Sequence, residues 1–287
     1  MRPNSLAVIG LGAIGGSLAW QAKLAGIPSV IGYSPDRQDQ IQALKSSAVH
    51  DIADTVGRAV QGADLVVLAA PPAAIITLLG QLSPHLAPGA LVTDVASIKV
   101  PIMARASEVG LGHRFAGGHP FAGTHLSGWS GARPDRLKGA VVYVCATEPD
   151  GDPAAREIMN FWASVLEAHP VRIDAAVHDA QLAWTSHLPQ GVASALALAL
   201  AHEPTLQGVS LGTGARDTTR LAASPAEMWV DIFLLNRGPV ADALTRAEGE
   251  LARLRELIRT GDRAGLTRFL EEAGEYRRRL EGDSGTS

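Results

Sequence analysis

Two imidazoles and a pair of guanidiniums stand out as groups able to do chemistry. His119 lies in Gly117-Gly118-His119-Pro120-Phe121-Ala122-Gly123-Thr124, directly after an apolar run, and Ser97 lies in Thr93-Asp94-Val95-Ala96-Ser97-Ile98-Lys99, after another. A histidine on a rigid Gly-Gly-His-Pro frame can accept a hydroxyl proton near neutral pH while hydride leaves the same carbon. The same histidine could equally serve as a hydrogen-bonded turn residue, and its place at a strand exit favours the chemical role. Further on, His178-Asp179 and Ser186-His187-Leu188-Pro189 interrupt an apolar helical stretch. Pro189 removes one backbone hydrogen bond and is expected to bend the helix beside His187. Thr213-Gly214-Ala215-Arg216-Asp217-Thr218-Thr219-Arg220 is read as a loop with two arginines, a fork able to clamp a carboxylate.

A phosphate-binding turn precedes all of these. Gly10-Leu11-Gly12-Ala13-Ile14-Gly15 follows an apolar run and opens a helical stretch. Gly10 permits the tight turn, Gly12 lets backbone approach a pyrophosphate, and Gly15 lets helix and strand pack closely, with the helix N-terminus facing the phosphates. Pro71, after the run Leu65–Ala70, is grouped with this dinucleotide site. At the end of the second run, Val30-Ile31-Gly32-Tyr33-Ser34, an NAD site usually carries Asp or Glu on the ribose 2′-hydroxyl. Here Ser34 stands there with Arg37 three residues later, a pair suited to the 2′-phosphate of NADP. Asp36 as the acidic residue would restore NAD, so both cofactors stay open, with NADP ahead.

The elements that must position these groups follow from the pattern. Leu6–Gly10, Val30–Tyr33, Leu65–Ala70, Leu91–Val95, Phe115–Gly117 and Ala140–Cys145 read as strands, mostly covered on both faces as in a parallel sheet. Helical stretches such as Ile14–Ala25 and Ala73–Leu86 alternate with them, which predicts a Rossmann-type doubly wound α/β domain over 1–174. After Asp174 the texture turns all-α, giving a helical substrate-binding and dimerisation domain over 175–287. It comprises one long helical stretch from Ala175 to Glu203, a helix announced by the capping box Ser224-Pro225-Ala226-Glu227, an apolar stripe at Val240, Leu244, Ala247, Leu251, Leu254 and Ile258, and a last helix over Arg263–Leu280. In an open α/β sheet, ligands bind beyond the carboxyl ends of the strands, so Ser97 and His119 are expected to face one crevice.

Composition narrows the function classes. The 287 residues carry a net charge of −4 and are 46% hydrophobic and 19% charged, which suits a globular protein of roughly two domains and argues against nucleic acid as a partner. A single cysteine, Cys145, excludes an internal disulfide framework and a multi-cysteine metal site. The longest apolar run, Leu188 to Ala201, falls short of the ~20 residues that span a bilayer. A soluble cytoplasmic protein without a metal is expected.

Taken in order, Gly10–Gly15, Asp94–Lys99, Gly118–Thr124, Ser186–Pro189 and Arg216–Arg220, with Met228-Trp229 and Asp231-Ile232-Phe233, make the chain resemble the prephenate/arogenate dehydrogenase family over nearly its whole length. The resemblance implies oxidative decarboxylation of prephenate to 4-hydroxyphenylpyruvate in tyrosine biosynthesis, with hydride passing to NAD(P)+. By motif, His119 resembles the catalytic histidine acting on the 4-hydroxyl, and Ser97 its partner near nicotinamide and substrate. His187 resembles the second site histidine and Arg220 the substrate-carboxylate arginine. Arg216, Asp217, Thr124 and Trp229 would surround the pocket, and a homodimer through the helical domain is implied.

One position departs from many relatives. His125 stands where they have glutamate after His-Pro-x-Ala-Gly-Thr, which removes an acidic partner for the ammonium of arogenate and points to prephenate. No chorismate-mutase segment precedes the glycine turn and no regulatory module follows Leu280, so inhibition by tyrosine is expected to compete with substrate. The alternatives are an arogenate dehydrogenase, another Rossmann-plus-helical dehydrogenase such as a β-hydroxyacid dehydrogenase or imine reductase, and a non-catalytic nucleotide sensor. The last two leave the set of His119, His187 and Arg220 unexplained.

Overall fold

The computed structural model describes residues 2–123, 126, 128–147 and 151–283. Strands β1 (Ser5–Ile9), β2 (Ser29–Tyr33), β3 (Asp51–Ile52), β4 (Leu65–Leu68), β5 (Leu91–Asp94), β6 (Phe115–Pro120), β7 (Val141–Ala146) and β8 (His169–Arg172) form one sheet in the order β3-β2-β1-β4-β5-β6-β7-β8. Between and after them run α1 (Ala13–Leu24), α2 (Arg37–Lys45), α3 (Val56–Val60), α4 (Pro72–Leu82), α5 (Val100–Glu108), α6 (Asp152–Ser164), α7 (Ala175–Leu182), α8 (Leu188–Ala201), α9 (Thr213–Thr219) and α10 (Ala226–Leu235). Helices α11 (Arg237–Thr260) and α12 (Arg263–Asp283) close the chain. The expected doubly wound α/β half is present, and after β8 the described residues form helices and turns.

The central strands are apolar throughout because both sheet faces are covered. Along β1, Leu6 and Val8 join a core with Leu18 and Ala22 of α1 and Phe161 and Trp162 of α6. Ala7 and Ile9 point the other way, to a core with Ile75 and Leu79 of α4 and Ile102 of α5. Each such large side chain contributes about 1.5–3 kcal/mol of burial. The order reverses between β1 and β4, which opens a crevice at their carboxyl ends.

The structure corrects several expectations. β7 runs antiparallel to β6, with His119 opposite Tyr143, and among the described residues no α-helix crosses over between them. Strands β3 and β8 were not read from the sequence: β3 has two residues, and β8 is an exposed His-Pro-Val-Arg edge with no apolar run. The long helical stretch from Ala175 breaks into α7, a π-helical turn at Ala183–His187, and α8, which ends at Ala201 rather than Glu203. The capping box does not form as read. α10 begins at Ala226 without a side-chain cap, and Ser224 instead ends the preceding turn, its N–H donating to Leu221 O at 3.0 Å.

Contacts divide the chain into two units, Met1–Arg237 and Gly238–Ser287. In the second, α11 and α12 turn at Gly261 (φ +68), and Asp262 caps α12 by accepting from Gly265 N at 2.9 Å. Arg253 of α11 lies 5.3 Å from the Phe269 ring centroid of α12. Leu251, Ile258, Leu270 and Tyr276 of this unit are exposed. No helix among the described residues is long and apolar enough to cross a membrane.

Candidate active site

The glycine turn is built as its sequence requires. Gly10 has φ +103, and a Cβ there would lie 2.2 Å from Ala69 O. A Cβ on Gly15 would lie 2.0 Å from Gly10 O and 2.6 Å from Ala69 Cβ, so these positions admit only glycine. Gly12 is the N-cap of α1 and supplies no side chain, which leaves the N–H groups at Ala13 and Ile14 available to an anion. Pro71 is exposed at the foot of α4, beyond the exit of β4. This cradle fits a dinucleotide pyrophosphate.

At the exit of β2, Ser34 is buried. Its hydroxyl accepts from Asp36 N at 3.2 Å and its carbonyl accepts from Gln40 Nε2 at 2.6 Å. Asp36 caps α2, accepting from Gln38 N at 2.7 Å and Asp39 N at 3.4 Å, so one of its oxygens is already engaged. Arg37 starts α2 with its side chain exposed. The β6–β7 connection leans on this half: Trp129 N donates to Asp39 Oδ1 at 2.8 Å, and the Trp129 and Trp20 rings stack at 5.9 Å.

A chain of polar groups begins at His119 on β6. His119 Nδ1 lies 2.9 Å from His178 Nε2, and His178 Nδ1 lies 2.7 Å from Asp179 Oδ1. A carboxylate only accepts, so His178 keeps its proton on Nδ1. In the neutral pair His178 Nε2 then accepts from His119 Nδ1–H, and His119 Nε2 is left with its lone pair outward. Burial, followed by His178, Lys99 and His187, holds His119 well below the usual histidine range, so it is a neutral base at pH 7. Phe121 stacks on its ring at 4.7 Å.

Asp179 does more than orient His178. Its Oδ1 accepts from Lys99 N and its Oδ2 from Val100 N, both at 2.8 Å, which satisfies the open N-terminus of α5. Asn236 Nδ2 donates to Asp179 O at 2.8 Å and to His187 Nδ1 at 3.2 Å. His187 therefore carries its proton on Nε2, which is buried without a hydrogen-bond partner. Trp229 Nε1 is likewise a buried, unpartnered donor, and its ring centroid is 6.0 Å from that of His187. Among the described residues neither N–H has a partner, and two such donors on rings 6.0 Å apart call for an oxygen acceptor from a ligand. Burial pushes His187 down to about 4, so it too is neutral.

The structure thus brings together His119, His187 and Trp229. Ser97 lies between β5 and α5, partly buried, in the same segment as Lys99. Arg216 and Asp217 are exposed on α9, which replaces the expected loop, and Arg216 Nη2 donates to Ser210 Oγ at 3.5 Å. Arg220 is exposed at the start of the 3-10 turn Arg220–Ala223, which packs on α8. Among the described residues no hydrogen bond or ion pair joins these three to the histidine cluster. Thr124 and His125 lie outside the described residues. The sequence assigns no role to His178-Asp179 or to Asn236; the signal for the first was a polar dipeptide at the start of an apolar helical stretch.

Comparison with known proteins identifies the family. The family description "Prephenate dehydrogenase, nucleotide-binding domain" matches residues 19–169, and "Prephenate dehydrogenase, dimerization domain" matches residues 174–272. The prephenate dehydrogenase of Bacillus subtilis (strain 168) is 29% identical over 282 residues, 96% of this chain and 75% of that protein. The crystal structure of Aquifex aeolicus prephenate dehydrogenase in complex with hydroxyphenyl propionate and NAD+ is similar with a TM-score of 0.89 and 29% identity, over 96% of this chain and 98% of that one. The crystal structure of Synechocystis arogenate dehydrogenase gives a TM-score of 0.81 and 31% identity, over 96% and 99% of the two chains. The sheet, the glycine cradle and the matches spanning both halves lead to one conclusion: the chain belongs to the prephenate dehydrogenase family, NAD(P)-dependent oxidoreductases.

Proposed function

We propose that the chain oxidises prephenate to 4-hydroxyphenylpyruvate with loss of CO₂. The observation that carries this reading is the neutral His119, aimed through His178 and Asp179, near two unpaired buried donors on His187 and Trp229. When bound in the glycine cradle, NAD(P)+ supplies the acceptor for the hydride that leaves C4. His119 Nε2 takes the proton of the 4-hydroxyl as that hydride departs, Ser97 assists beside it, and His178 keeps the imidazole turned outward. The C4–H pair leaves as hydride, the C1–carboxylate bond breaks, and its electrons complete the aromatic ring. His187 Nε2–H and Trp229 Nε1–H hold an oxygen of the substrate, and Arg220, with Arg216 and Asp217 assisting, takes a carboxylate.

Prephenate is favoured over arogenate because Asp179, the carboxylate in the histidine cluster, already accepts from three donors and has little to offer an ammonium. NADP is favoured over NAD by Ser34 and Arg37, with Asp36 drawn into capping α2. A homodimer fits the exposed apolar side chains of α11 and α12, and a cytoplasmic enzyme fits a free buried thiol at Cys145. The test is a spectrophotometric assay of both acids with both cofactors, run beside His119→Asn. Prephenate with NADP+ is expected to give the highest kcat/KM, and His119→Asn to lose at least ~10²-fold in turnover while still binding cofactor. Equal or better use of arogenate removes the substrate assignment, and undiminished turnover in the variant removes His119 from the reaction.

A further inference from the structure

Lys99 and Asp94 form an ion pair beneath the strand exit that carries His119, and both side chains are fully buried. The Lys99 ammonium also donates to Gly118 O at 2.7 Å, while Asp94 accepts from Gly118 N at 3.1 Å and Ala96 N at 3.0 Å. Both polar groups of the residue before His119 are thus gripped by one ion pair. The grip is close: a Cβ on Gly118 would lie 2.6 Å from Asp94 O. The main chain of Lys99 is meanwhile fixed by Asp179, the residue that orients His178. Residue 99 therefore ties the base, its strand and the helix behind it into a single frame.

A buried ion pair is a poor choice for stability alone, since apolar residues of similar volume commonly do as well or better. We propose that the Asp94–Lys99 pair is the positioning device of His119, fixing the strand segment that aims the imidazole and placing the ammonium of the pair behind it. The inference rests on His119 being the base. The groups facing that imidazole are His178 from α7, His187 from the π-helical turn and Lys99 from the segment before α5, with Asp179 behind His178. Lys99 opposes a proton on His119, and Asp94 pairs with Lys99 in the interior.

The test compares the parent with Lys99→Met, Asp94→Asn and the double variant. Two readouts are used: the NMR titration of His119 in histidine-labelled protein, without substrate, and the pH profile of kcat/KM. Lys99→Met is expected to move the His119 titration and the acid limb upward by about one pH unit, whereas Asp94→Asn produces no rise. Turnover in Lys99→Met is expected to fall about tenfold through lost aim, with the KM for NAD(P)+ unchanged within about twofold. If the single variant does not fold, the double variant, which leaves no unpaired charge, tests the aim alone: its turnover is expected to fall about tenfold with the KM for NAD(P)+ unchanged within about twofold. A folded Lys99→Met variant whose His119 titrates as in the parent, or a double variant with undiminished turnover, overturns the proposal. A parent that titrates as expected but does not oxidise prephenate overturns the functional reading instead, because the NMR arm needs no turnover.

Discussion

At His187, burial is the main force pushing the imidazole down to about 4, with Asp179 opposing and His178 assisting. Its ordinary value is near 6.5, so between those limits the unfolded chain binds the extra proton and folding stability rises with pH. That contribution is complete above pH 6.5 and fades as the pH falls toward 4, with a ceiling of about 3 kcal/mol. Urea midpoints measured at pH 7 and pH 4.5 should therefore drop less in His187→Gln than in the parent. An equal drop would mean that the acid sensitivity lies elsewhere. At this scale the sequence was informative where a residue type is tied to one chemistry. His119 and His187 stood out as imidazoles on unusual frames, whereas Asn236 carried no sign of its contact with His187, because that contact joins positions 49 apart.

Elements were legible in proportion to their apolar periodicity. β1, β4 and β5 announced themselves as buried runs, while β8, exposed on the sheet edge, had no pattern to show. The direction of β7 was hidden for a different reason: an apolar run states that a strand exists but not which way it points. The glycine turn was legible because Gly10 and Gly15 each answer a steric demand, a Cβ on either falling within 2.2 Å of a backbone oxygen. Gly15→Val should push α1 off the sheet, lowering cofactor affinity by roughly 10-fold or more and costing about 1–3 kcal/mol of stability. Fluorescence titration with cofactor and a thermal melt would measure both losses, and a variant with unimpaired binding would show that α1 need not approach β1 so closely.

For the molecule as a whole, exposed apolar surface points to a second copy. Leu251, Ile258 and Leu270 are each more than 60% exposed in the second unit, a heavy load of apolar side chains to leave in water. Sedimentation at micromolar concentration should give about twice the monomer mass, and Leu251→Glu combined with Leu270→Glu should shift the boundary toward the monomer. A parent sedimenting as monomer would assign these side chains another occupant. This surface was written in the sequence only as a stripe; whether the stripe faces inward or outward depends on packing that the stripe itself does not encode. The π-helical turn at Ala183–His187 has a consequence for how such a protein can diverge. It holds one residue more per turn than an α-helix, so losing a single codon there, Thr185 for example, would heal the turn into regular helix. The helix on either side would keep its facing, because the turn absorbs the extra residue, and only the seat of His187 at the end of that turn, against Asn236 and Trp229, would be lost. A lineage could in that way keep a foldable nucleotide-binding chain and discard its reaction in one genetic event.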